Sequence, residues 1–133
     1  MQLNKIIDDY FVSEQITEND INFLKEKGFK TIFCNRPDHE DQNQSDAENI
    51  QKVATSHGIK FIHQPIVGTE ISLTDVDDFS AHYNNAEKPI LAYCRTGTRC
   101  SMLWALSESS NRPIDEILNL TTSAGYDLSS LFK

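Results

Sequence analysis

Three apolar stretches of strand length begin near Thr31, Lys60 and Pro89, and their even spacing constrains the fold more than any other feature. The interval is close to the ~30 residues of a strand–helix–strand unit. Between the first two, Ser45-Asp46-Ala47-Glu48 has the form of a capping box, and Ile50, Val53, Ala54 and His57 continue it at helical spacing as far as Gly58. Between the second and third, a helix starting near Thr74 sets Val76, Phe79 and Tyr83 about a turn apart. Strands joined by helical crossovers run parallel. The expected fold class is α/β, with a central, mostly parallel sheet flanked by helices. Such a sheet binds ligands beyond the carboxyl ends of its strands. The loops Arg36 to Asp41, Val67 to Ser72 and Cys94 to Arg99 should all emerge on that edge.

Around this frame, Phe11 to Gln15 reads as a short first strand. Thr17 reads as the N-cap of a helix that turns Ile21 and Leu24 inward and stops at Gly28. After the third strand, Met102, Leu103, Ala105 and Leu106 describe a helix apolar nearly all round, as in a buried central position. Pro113 opens a last helix with Ile114, Ile117 and Leu118 inward, ended by Gly125. A tail comes next and docks Leu128 and Leu131. With no linker or low-complexity tract, residues 1–133 read as one domain.

The third strand runs straight into Cys94-Arg95-Thr96-Gly97-Thr98-Arg99-Cys100-Ser101, and a helix begins at once. A tight loop between strand and helix aims backbone N–H groups and a helix N-terminus at one point, which stabilises an anion or a thiolate there. A free thiol ionises near pH ~8.5, and such surroundings lower that value to roughly 3.5–7.5. Cys94 is therefore the candidate nucleophile, with Arg95 and Arg99 as catalytic cations. Thr96, Gly97, Thr98, Cys100 and Ser101 complete the anion-binding loop, and Gly97 supplies the positive φ that turns it. Cys100 reads either as a small side chain in the first helical turn or as a resolving thiol for Cys94. Cys34 reads as packing.

The chain carries a net charge of −8, which argues against nucleic acid or an anionic membrane as partner. Only four arginines occur, and two of them, Arg95 and Arg99, lie in the cysteine loop, which suits a small anionic substrate. Three cysteines without a secretion signal read as free thiols in the cytoplasm. The four histidines show no metal-ligand spacing, so neither metal nor cofactor is expected.

These residues resemble two kinds of active-site loop. Cysteine first, glycine fourth and threonine or arginine sixth is the pattern of rhodanese-type sulfurtransferases. Cysteine-dependent phosphatases are also similar, but they place five residues between cysteine and arginine where this chain has four. Their usual histidine before the nucleophile is Tyr93 here, and their serine or threonine after the arginine is Cys100. Over nearly the full length the chain resembles a bacterial family of beta-lactamase-hydrolase-like, phosphatase-like proteins, some fused to a persulfide dioxygenase. The matching stretches are Ser13-Glu14-Gln15-Ile16, Gly28-Phe29-Lys30-Thr31-Ile32, Asn35-Arg36-Pro37-Asp38, Gly58-Ile59 and the cysteine loop. The resemblance implies a dual-specificity-phosphatase-like fold, and in that family serine is common at the position of Cys100.

Two reactions suit a Cys94 thiolate. Phosphoester hydrolysis needs a cradle for three oxygens and an acid for the leaving group. For that acid the loop after the second main strand offers Glu70, not an aspartate, with Asp38 and Glu40 on a different loop. Glu70 reads more readily as a solvated surface group than as that acid. Sulfur transfer needs less: the thiolate takes sulfane sulfur from a persulfide substrate and passes it to an acceptor thiol. The short loop favours the sulfurtransferase, with the phosphatase as alternative and an inactive anion-binding module as a third reading. Arg36 and Asp38 stand as accessory residues, with Arg36 either helping to bind the anion or pairing with Asp38 on the surface.

Overall fold

A computed structural model of the chain describes residues 1–132. Five strands form one sheet: β1 (Asn4–Ile7), β2 (Tyr10–Ser13), β3 (Thr31–Cys34), β4 (Lys60–His63) and β5 (Ile90–Tyr93). They lie in the order β1-β2-β5-β3-β4, so β5 is the middle strand. β1 and β2 form an antiparallel hairpin, and every other pairing is parallel. The helices are α1 (Ile21–Glu26), α2 (Ala47–Ser56), α3 (Leu73–Asn85), α4 (Thr98–Glu108) and α5 (Ile114–Ser123). The expected α/β class with a mostly parallel sheet is what the chain adopts.

Alternation along each strand splits the core in two. Ile32 and Cys34 of β3 and Leu91 and Tyr93 of β5 meet Ile21 and Leu24 of α1 and Ile50 and Ala54 of α2. Tyr10, Val12, Phe33, Ile90 and Ala92 face the other way, onto Phe79 of α3, Leu103 and Trp104 of α4 and Ile117 of α5. β3 and β5 are buried on both faces, which explains their unbroken apolar sequences. α4 is central, as its sequence implies: Cys100, Leu103, Trp104 and Ala105 are all buried.

Several local expectations are corrected. β1 went unforeseen, because an edge strand reading Asn-Lys-Ile-Ile carries little apolar signal. β4 ends at His63 and leaves Gln64 to Ile66 in the loop beyond it. Ser45 does not cap α2; the Asp38 carboxylate reaches across from the preceding loop and accepts the Ala47 amide at 2.8 Å. Ile114 is 44% exposed, because it starts α5 before that helix meets the core.

Candidate active site

Because β2, β3, β4 and β5 are parallel, the loops that leave their carboxyl ends gather on one edge, with the β5 loop in the middle. Cys94 comes directly after β5 there and is buried. Gly97 adopts φ +95, a left-handed conformation that brings its amide onto the Cys94 Sγ at 3.1 Å. The Cys94 thiol is held down at about 5. The hydrogen bond from the Cys100 side chain contributes most; burial opposes it, and the amides of Cys100, Thr96 and Gly97 add to it. At neutral pH Cys94 is thus a thiolate. Cys100, buried in the first turn of α4, is pushed well up by burial and by its neighbour's charge, so it remains the proton donor of the pair.

Arg99 also lies in the first turn of α4. It donates to the Ile66 carbonyl at 2.8 Å through one terminal nitrogen and to Glu40 Oε1 at 2.9 Å through the other. The same Glu40 oxygen accepts from Arg36 Nε at 2.7 Å. Burial pushes the Glu40 carboxyl up, but hydrogen bonds from Arg99 and Arg36 outweigh it, so Glu40 lies below the usual carboxylate range. Sequence reasoning passed over Glu40, since 59 positions separate it from Arg99. Only the convergence of loops on one edge pointed to it.

The remaining candidates divide. Arg36 is buried but does not pair with Asp38. Its two terminal nitrogens bind Gln15 Oε1 at 2.9 Å and Asp41 Oδ2 at 2.6 Å, so it clamps the loops after β2 and β3 together. A guanidinium already committed to three acceptors is a strut, not an anion ligand. Asp38 is committed to the α2 amide. Arg95 and Thr96 are exposed at the rim, Thr98 is half-buried, and Glu70 is exposed on the loop after β4. Ser101 is buried and donates from Oγ to the Gly97 carbonyl at 2.9 Å. Among the described residues no cluster of three or more His, Cys, Asp or Glu side chains could hold a metal ion, and no helix is long and apolar enough to cross a membrane.

A strand-end thiolate, a loop of inward amides and an anchored arginine can be compared with known proteins. The family model described as "Beta-lactamase hydrolase-like protein, phosphatase-like domain" matches residues 2–111. The chain belongs to this family. A Xylella fastidiosa beta-lactamase hydrolase-like protein is 34% identical over 114 residues, 84% of this chain but 26% of the relative, so the chain spans about a quarter of that protein's length. The crystal structure of a candidate phosphatase from Neisseria meningitidis is 38% identical with a TM-score of 0.88, covering 98% of this chain and 94% of the other. The core catalytic domain of the PP-IP phosphatase SIW14 from S. cerevisiae shares the fold at 20% identity, with a TM-score of 0.71 over 97% of this chain and 79% of that one.

These findings overturn the sulfurtransferase expectation and place this beta-lactamase hydrolase-like domain on a cysteine-phosphatase fold. The expectation rested on loop length, and the geometry shows why length misleads. With four residues between Cys94 and Arg99, Gly97 still turns its amide onto the sulfur, and Arg99 is set from outside the loop, by Glu40 and the Ile66 carbonyl.

Proposed function

We propose that the domain is a cysteine-dependent phosphatase that hydrolyses a phosphomonoester through a phosphocysteine intermediate on Cys94. The observation that supports this most is the Cys94 sulfur itself, held as a thiolate by loop amides and the Cys100 thiol, inside a fold shared with phosphatases. The thiolate attacks phosphorus in line; the S–P bond forms as the P–O ester bond breaks. Loop amides and Arg99 take the charge of the equatorial oxygens. Water then attacks phosphorus, the S–P bond breaks, inorganic phosphate leaves and the thiolate is restored. The hydrogen bond from Cys100 assists this second step, since it stabilises the sulfur as a leaving group.

The leaving alkoxide needs a proton unless its own pKa is low. Glu40 is held ionised between two arginines and Asp38 is spent on α2, so neither supplies one. Glu70 is assigned the role, carried by the loop after β4. The decisive experiment is phosphate release from an aryl phosphate and from an alkyl phosphate, with Cys94→Ser as control. We expect release of phosphate by wild type, none by Cys94→Ser, and a loss in Glu70→Gln of about tenfold or more on the alkyl substrate but little on the aryl one. No release above the Cys94→Ser background by unmodified protein, when a parallel sample shows Cys94 alkylated at pH 6, would defeat the proposal.

A further inference from the structure

An anion cradle built from backbone has a geometric debt. When successive N–H groups turn inward, the carbonyls of the same peptides turn outward, and each needs a donor of its own. The Arg95 carbonyl takes the Gln15 amide at 3.4 Å, and the Gly97 carbonyl takes the Ser101 amide at 3.0 Å and its hydroxyl at 2.9 Å. The Thr96 carbonyl is satisfied from far along the chain: the Tyr126 hydroxyl donates to it at 2.9 Å. That hydroxyl in turn accepts from Asn4 Nδ2, on β1, at 3.0 Å.

We infer that Tyr126 is a positioning residue of the anion cradle, acting through the Thr96 carbonyl to hold the loop amides toward Cys94 and the bound oxyanion. The inference rests on reading the loop as an anion site. Three features place the ring. Gly125, at φ +105, ends α5 in a turn that sends the Tyr126 amide back to the Thr121 carbonyl at 2.9 Å. Leu128, buried in the larger core, anchors the chain just beyond. The ring also lies so close to Gly97 that a Cβ there would fall 2.9 Å from its Cζ, so the tyrosine and the glycine fit only as a pair. Burial, with the charge of the nearby Cys94 adding to it, pushes the Tyr126 phenol up, which keeps it a donor across the working pH range. Tyr126 lies outside residues 2–111, which the family model matches.

Tyr126→Phe keeps the ring against Gly97 and removes only the donor. The pH midpoint of Cys94 alkylation by iodoacetamide should rise, and inorganic phosphate should protect Cys94 about three- to tenfold less well, at an almost unchanged melting temperature. A merely structural tyrosine would move the melting temperature and leave the midpoint alone. Midpoint and protection equal to wild type would overturn the inference. Wild-type protein offers a test free of folding defects, because coupling is reciprocal: phosphate should slow hydrogen exchange across residues 124–128. Unchanged exchange there, with Cys94 protected, refutes the role of Tyr126. Phosphate that fails to protect Cys94 in wild type refutes the anion cradle itself.

Discussion

Cys34 and Cys94 stand at the ends of adjacent parallel strands, with Cys34 directly opposite Tyr93 in the register. Both are almost wholly buried. Burial pushes the Cys34 thiol up to about 11, despite the hydrogen bond it donates to the Arg36 carbonyl at 3.4 Å. Cys94, equally removed from water, is held at about 5. Desolvation is thus common to both sites and cannot explain the gap. The difference lies in the loop that each strand enters. β3 runs into one whose polar groups serve Arg36 and α2, whereas β5 runs into a turn whose amides, with the Cys100 thiol, face the sulfur. Reactivity here is a property of the loop, not of the cysteine.

The comparison is easiest to break by exchange of labels. At pH 6 one equivalent of iodoacetamide should modify Cys94 and leave Cys34 untouched, as read by peptide mass spectrometry. Cys94→Ser should lower phosphate release by at least about a thousandfold, while Cys34→Ala should leave it within a few-fold, since only the first removes the nucleophile. Activity should rise with pH through about 5, where the Cys94 thiolate forms, because a thiol depressed in the folded protein loses its anion only below that value. A smaller effect is expected at Glu40. Glu40→Gln retains an acceptor for Arg99 and Arg36 but removes its charge; KM should rise about tenfold with kcat less affected, as Arg99 loses its fixed direction. Smaller still, Cys100→Ser should keep the Cys94 alkylation midpoint within about a unit of wild type, whereas Cys100→Ala should shift it upward by more. Equal midpoints in all three proteins would show that the backbone amides alone carry the difference between the two cysteines.

Much of this was legible from the chain. β3 and β5 announced themselves because strands covered on both faces must be apolar throughout, and the strand–loop–helix junction at Cys94 is written in consecutive residues. What escaped was non-local. Glu40 reads as one of several loop carboxylates until the fold carries it to Arg99. The sequence leaves Arg36 between anion binding and a surface pair with Asp38, neither of which is its buried place among Gln15, Glu40 and Asp41. Loop length, the one local count used to choose between sulfur transfer and phosphate hydrolysis, misled because the cradle is completed by groups that length does not measure. Tyr126 and Asn4 belong with these: an ordinary tail and an edge strand gain meaning only where they meet.

The alternation of the sheet has a practical corollary. Tyr93 and Cys94 are neighbours in sequence, yet they point into separate interiors, and among the described residues the hydrophobic cluster on the α1–α2 side includes none of residues 94–101. That half of the molecule can be redesigned as freely as any hydrophobic interior, so a combinatorial library confined to Ile21, Leu24, Ile50 and Ala54 offers a route to hardier catalysts whose chemistry is inherited unchanged.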